Sequence, residues 1–260
     1  MPSFTRESAS IHYEILGAGE PLLLIAGTAS DGASWGPLLD LLPERQLILI
    51  DNRGSGRTTV EGPLSHRDMV EDCAALLDQL GLGAVDVVGH SLGGFLGLWL
   101  AALHPGKVKR LVTLGSGVID ARSKAVFADL SRLYFTLPPQ DFFRMLYPWL
   151  FSPAFFADPA TREAAAEAST NYAYRQSPAD FARQVAAMER PLSVDLGTIS
   201  CPVMAVAGEG DLLAPPGTVA TAHAAIADHW VVTIPHAAHS IHWEQLKATA
   251  EAILGFLGRN

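Results

Sequence analysis

Val85-Asp86-Val87-Val88-Gly89-His90-Ser91-Leu92-Gly93-Gly94 is the stretch from which the rest of the chain is read. Apolar residues run directly into a G-x-S-x-G pattern, and a helix-compatible segment follows over residues 91 to about 104. A serine on so sharp a strand-to-helix turn needs strained backbone angles and small neighbours, which Gly89 and Gly93 supply and Gly94 extends. The helix that follows points its positive N-terminal end at the serine, so negative charge developing there is stabilised. The pattern predicts a nucleophile presented at the end of a strand.

Outward from this turn, strands alternate with helices. On the C-terminal side residues 108–114 form an apolar strand pattern after Pro105-Gly106. On the N-terminal side Ser65-His66-Arg67-Asp68 resembles a capping box, and Met69, Val70, Cys73, Ala74, Leu76, Leu77 and Leu80 recur at helical spacing until Gly81. The runs at residues 21–26 (PLLLIA) and 47–50 (LILI) read as strands buried on both faces. Residues 10–16 alternate through Ile11, Tyr13 and Ile15 like a half-exposed antiparallel strand. Alternating strands and helices imply a parallel sheet with right-handed crossovers.

From about residue 119 to residue 197 the strand rhythm stops. Helix-compatible stretches rich in Ala, Phe, Tyr and Leu take over, broken by Pro138-Pro139, Pro148, Pro153, Pro159 and Pro178. The sheet resumes at residues 202–207 (PVMAVA), followed by a helix near residues 218–227, a strand at 230–234 and a last helix at 243–257. The expected organisation is a core domain of residues 1–118 and 198–260, with residues 119–197 inserted as a helical cap.

A serine hydroxyl is a poor nucleophile without a base, so a carboxylate and a histidine are expected downstream. Asp211 stands after an apolar strand pattern, where open α/β sheets place ligands, and His239 follows the strand ending at Ile234. Asp120 competes as the acid, and His236 and His242 as the base. His90 beside the serine is expected to shape the site, and Arg53 and Arg57 to hold their loop.

With these segments in order, the chain resembles the cap-bearing branch of the α/β-hydrolase superfamily that contains carboxylesterases, enol-lactone hydrolases, cofactor-free haloperoxidases and C–C bond hydrolases. The resemblance rests on Ala26-Gly27-Thr28, Asp51-Asn52-Arg53-Gly54-Ser55-Gly56-Arg57-Thr58, the turn at Ser91, Gly208 to Asp211, and Ala238-His239 with Glu244. Ala26 stands where the family usually has histidine, and Ala238 where it has glycine. The resemblance implies an α/β-hydrolase fold with a mostly parallel eight-stranded sheet and helices on both faces. It also implies a Ser91–Asp211–His239 triad and an oxyanion hole formed by the backbone N–H groups of Thr28 and Leu92.

The activity implied is hydrolysis of a carboxylic ester or lactone through an acyl-enzyme. C–C bond hydrolysis of a diketone or acyl transfer to peroxide would use the same triad, and a ligand-binding receptor or scaffold would keep only the fold. Cap aromatics are candidates to line the substrate pocket: Phe143, Trp149, Tyr134 and Phe135. Arg132 and Arg144 are either receivers for a substrate carboxylate or solvated surface groups.

Composition narrows the partners. Apolar residues make up 49% of the 260 residues and charged residues 17%, enough for a single sizeable core. The net charge is −9 with no basic cluster, which argues against nucleic acid as a partner. No apolar run reaches the ~20 residues of a membrane span and the N-terminus lacks a signal-peptide layout, so a soluble cytoplasmic protein is expected. Cys73 and Cys201 read as small core residues, and the scattered histidines show no metal-ligand spacing, so neither metal nor cofactor is expected.

Overall fold

The computed structural model describes residues 2–259. Its sheet has nine strands: β1 (Ser3–Arg6), β2 (Ala9–Leu16), β3 (Glu20–Ile25), β4 (Arg45–Ile50), β5 (Thr59–Val60), β6 (Val85–His90), β7 (Val108–Leu114), β8 (Val203–Gly208) and β9 (His229–Ile234). Eight of them lie in the order β1-β2-β4-β3-β6-β7-β8-β9, and β5 pairs with β2 off that path. Strands β4, β3, β6, β7, β8 and β9 pair in parallel, whereas β2 is antiparallel to β1, β4 and β5.

The helices are α1 (His66–Gln79), α2 (Leu92–Leu103), α3 (Ala121–Thr136), α4 (Pro139–Leu150), α5 (Pro159–Asn171), α6 (Pro178–Met188), α7 (Pro216–His223), α8 (Ile241–Glu244) and α9 (Leu246–Leu257). None among the described residues is long and apolar enough to cross a membrane. Ser65 caps α1 by accepting from the Asp68 N–H at 3.1 Å, and its hydroxyl donates to Asp68 Oδ2 at 2.6 Å. The last helical stretch is divided at Gln245, whose backbone leaves the helical region.

The strand runs expected to be doubly buried are so. In β3, Leu23 and Ile25 join the core that contains Leu76, Leu77, Leu96 and Leu100 of α1 and α2. Leu22 and Leu24 join the opposite core, with Ile253, Phe256 and Leu257 of α9. Side chains alternate at period two, so one strand of Leu and Ile feeds both helical layers. In β2 the alternation is only partial, because His12 on the other face is also buried. Its Nε2 lies 2.7 Å from the Arg57 guanidinium.

Helices α3 to α6 intervene between β7 and β8 and carry a core of their own. Tyr134 stacks on Phe142 with ring centroids 3.8 Å apart, and Phe181 meets Phe142 edge-on at 5.8 Å. Two buried glutamines tie this layer to the sheet loops. Gln176 Nε2 donates to Gly54 O at 2.6 Å, and Gln184 Nε2 donates to Arg53 O at 2.9 Å. Arg53 itself is buried in a two-pronged pair with Asp72, at 2.6 and 2.9 Å, which fits the structural role expected of it.

His66 is buried against Trp99, with ring centroids 5.1 Å apart, and neither of its nitrogens has a partner among the described residues. Burial pushes its pKa down to about 4. The unfolded chain therefore binds the extra proton first as pH falls, so stability is complete above about pH 6.5 and is lost progressively toward pH 4. His66→Phe should flatten this acid-side decline. The check is the slope of Tm against pH from 7 to 4.5, whatever the variant's Tm at neutral pH.

Candidate active site

The turn after β6 has the strain its sequence requires. Ser91 has φ +51° and ψ −116°, a conformation side-chain-bearing residues rarely adopt. Close packing explains its glycine neighbours: a Cβ on Gly89 would lie 2.2 Å from Gly93 O, and one on Gly93 would lie 1.9 Å from Ile25 O. The turn is clamped by main-chain and side-chain bonds. Ser91 N donates to Leu114 O at 2.8 Å, and Ser116 Oγ donates to Ser91 O at 2.9 Å. The Ser91 side chain makes no capping bond to α2, so its hydroxyl is not engaged as a helix cap.

Asp211 and His239 meet across the ends of β8 and β9. His239 Nδ1 lies 2.8 Å from Asp211 Oδ2, and both side chains are almost wholly buried. Asp211 Oδ1 accepts from the N–H groups of Leu213 and Ala214 at 2.8 and 2.9 Å, which fixes the carboxylate plane. Gly115 permits this pair, since a Cβ there would lie 3.2 Å from His239 Nδ1 and 3.3 Å from Asp211 Oδ2. The Nδ1–H tautomer held by the carboxylate leaves His239 Nε2 as the acceptor.

The loop before His239 is held by Glu244. Its Oε2 accepts from Ala238 N at 2.7 Å and its Oε1 from Ser152 N at 2.8 Å, so one carboxylate joins the His239 loop to the segment after α4. His90 Nε2 donates to His239 O at 2.9 Å, and the ring sits edge-on to His242 at 4.6 Å. Burial, with both neighbouring histidines adding to it, pushes His90 well below the ordinary imidazole value, and burial takes His242 to about 4. Both are neutral near pH 7. His90 lies on the cavity wall beside Ser91 and bonds to the main chain of His239.

Ser91 and His239 open on one cavity of about 680 Å³ with a mostly apolar wall, within the size range of small-molecule sites. A second cavity of about 40 Å³ touches the same two residues beside Phe95, Val118 and Met188. Thr28 lies on the wall of the large cavity, and a Cβ on the preceding Gly27 would be 3.2 Å from Ser91 Cβ. Leu92 opens α2, so its N–H is one of those with no acceptor inside the helix. The two proposed oxyanion donors thus stand in the loop after β3 and at the first position of α2, on either side of Ser91. A family model for the alpha/beta hydrolase fold matches residues 20–246.

The chain belongs to this family. Among curated relatives of this α/β hydrolase is RutD of Azorhizobium caulinodans, provisionally named a carbamate hydrolase. It is 28% identical over 267 residues, covering 99% of this chain and 98% of the relative. Among solved structures, a thermophilic esterase from Thermogutta terrifontis superposes with a TM-score of 0.82 at 25% identity, over 96% of this chain and 93% of the other. The enol-lactonase of Burkholderia xenovorans LB400 superposes with a TM-score of 0.87 at 21% identity, over 99% and 100% of the chains. That second likeness speaks for the fold.

Rival residues in this α/β hydrolase are engaged elsewhere. Asp120 is exposed, and its Oδ1 caps α3 by accepting from Ser123 N at 2.8 Å. His236 is exposed beside the cavity, where its main-chain N–H donates to Glu209 Oε2 at 3.0 Å and its ring meets no carboxylate among the described residues, and His242 Nε2 donates to Ser34 O at 3.2 Å. The four aromatic candidates separate. Phe143 lies on the cavity wall, but Trp149, Tyr134 and Phe135 do not. Tyr134 is turned into the interior of the α3–α6 layer, where its hydroxyl donates to Gln176 O at 2.7 Å, and Phe135 is 61% exposed. Consecutive helical positions point about 100° apart, so Tyr134 and Phe135 cannot share a face. Trp149 packs, half-buried, against the core shared by α3 to α6.

Arg132 pairs with Asp129 on the surface, and Arg144 is taken up by Asp141 and Glu163. Neither lies on the cavity wall. The wall instead includes Tyr147, Phe151, Phe155, Tyr172, Arg175 and Trp243. No local pattern marks Asp31, whose Oδ2 accepts from the Tyr172 hydroxyl at 2.7 Å across 141 residues of sequence.

Proposed function

We propose that this α/β hydrolase is a serine hydrolase that cleaves a carboxylic ester or lactone of a small to medium, partly apolar substrate. The observation that carries the reading is the buried 2.8 Å His239–Asp211 contact beside a serine whose hydroxyl caps nothing and faces an apolar cavity. In this reading His239 Nε2 takes the proton from Ser91 Oγ as it attacks the substrate carbonyl. The N–H groups of Thr28 and Leu92 receive the developing oxyanion, a contribution of about 3 kcal/mol for each donor. The carbonyl re-forms, the leaving group departs with the proton from His239, and water repeats the cycle on the acyl-enzyme. The 40 Å³ cavity has room for such a water.

The curated relative's provisional name raises carbamate as another acyl group open to the same chemistry. The large apolar cavity favours a substrate with a sizeable apolar part, and the esterase likeness at 25% identity points the same way. A cytoplasmic location belongs to this proposal too. Turnover of short p-nitrophenyl esters and lactones, run beside carbamates and diketones, tests it. Preferred cleavage of an ester or lactone supports the reading, and turnover confined to carbamates or diketones removes it.

In the same reading helices α3 to α6 act as a lid that selects substrates and does none of the chemistry. Phe143→Ala should shift the preferred acyl chain toward longer p-nitrophenyl esters, since it enlarges the cavity wall. Phe135→Ala, at an exposed position, should leave the profile as it is. A profile of kcat/KM from acetate to octanoate checks both. An unchanged profile in Phe143→Ala would make that ring ordinary packing.

A further inference from the structure

Three charged side chains reach the wall of the large cavity: Asp31, Glu244 and Arg175. Both carboxylates are already engaged. Asp31 Oδ1 accepts from Ala33 N at 3.0 Å and Oδ2 from the Tyr172 hydroxyl, while each oxygen of Glu244 accepts a main-chain N–H. Burial raises the Asp31 carboxyl above its usual value, and the nearby charge of Asp51 adds to this. His90 and His242 contribute no charge near neutral pH.

Arg175 differs from the other arginines near the site. It is half-buried, and its guanidinium has no hydrogen bond and no ion pair among the described residues. Arg57 nearby is held by Glu14 and lies over the Tyr174 ring at 4.4 Å. The backbone presenting Arg175 is pinned on both sides. Arg175 N donates to Tyr172 O at 3.1 Å, and the next residue, Gln176, is buried and bonded to Gly54 O and, through its own carbonyl, to the Tyr134 hydroxyl. Arg175 is therefore the one cationic side chain on a mostly apolar wall, and it is the one of the three charged groups there whose side chain has no hydrogen-bond partner among the described residues. A planar guanidinium on an apolar wall binds carboxylates through two parallel bonds.

We propose that the substrate of this site is an ester or lactone bearing a carboxylate remote from the scissile bond, and that Arg175 receives that carboxylate. The proposal rests on the ester or lactone reading above and adds the charge of the substrate to it. Arg132 and Arg144, which the sequence offered for this role, do not line the cavity, whereas Arg175 does.

The test uses ester pairs that differ only in carboxylate against carboxamide. One pair carries the group on the alcohol side, 4-butanoyloxybenzoate and 4-butanoyloxybenzamide. The other carries it on the acyl side, monoethyl adipate and its amide. In at least one pair the carboxylate member should be favoured in kcat/KM by about tenfold or more, the size of one charged hydrogen-bonded contact. Arg175→Gln should bring that ratio to about one through KM, and Arg175→Lys should leave it between the two. A ratio near one in both pairs for the wild type, or a ratio unmoved by Arg175→Gln, overturns the proposal. If no ester is turned over, the hydrolase reading fails separately. Calorimetric binding of 4-butanoyloxybenzoate to wild type and Arg175→Gln then decides the charge question, with equal affinities counting against Arg175.

Discussion

Ser91→Ala is expected to abolish ester turnover, a fall of about 10⁶-fold on the scale of other serine nucleophiles, while Tm stays where it is. The two halves of this result have separate causes. Activity is lost because no other group replaces Oγ in forming the acyl-enzyme, and the oxyanion donors alone leave only a small residue of rate. Stability is kept because the Ser91 hydroxyl caps nothing and its N–H bond to Leu114 O does not involve the side chain. Serine and alanine carry the same Cβ, so the positive φ at this turn costs both alike. Initial rates with p-nitrophenyl butyrate, beside a thermal melt, check the pair. A folded Ser91→Ala protein with wild-type turnover would place the chemistry elsewhere.

The second large effect separates the two candidate acids. Asp211→Asn should lower turnover by about 10⁴-fold. Asparagine can still accept from the N–H groups of Leu213 and Ala214 through its one carbonyl oxygen, so the loop should survive. Its NH₂ then faces His239 Nδ1 and forces the tautomer with hydrogen on Nε2, which cannot take the serine proton. Asp120→Asn should change turnover little, because asparagine caps a helix about as well as aspartate. Steady-state kinetics of both variants decide the matter, and the reverse ranking would move the acid to the end of β7.

Much of this fold can be read locally because its signals are contiguous. The strand, turn and helix around Ser91 occupy neighbouring residues, and the demand for glycine at positions 89 and 93 follows from backbone clearance alone. Uniform Leu and Ile in β3 announce a strand buried on both sides. The short strands β1 and β5 escape the sequence reading, since four and two residues are too few to establish a period of two. The helical stretch over residues 32–41 escapes as well, because Gly36 and Pro37 interrupt its pattern.

The cavity wall is less legible. A helix rich in aromatics declares that some are buried but not against what, which is why Phe143 reaches the cavity while Tyr134 fills the cap's own core. Contacts such as Asp31 with Tyr172 depend on how the cap sits on the sheet, and no spacing along the chain encodes that. Arg175 is conspicuous only once Arg132 and Arg144 are seen to have partners.

The most direct test of an acyl-enzyme mechanism on Ser91 is peptide mapping after reaction with a fluorophosphonate, which traps an activated serine irreversibly. A single adduct is expected, on the peptide carrying Ser91, slowed by a competing ester substrate and absent from Ser91→Ala. An adduct on a different residue, or a protein that hydrolyses esters without taking up the probe, would contradict it.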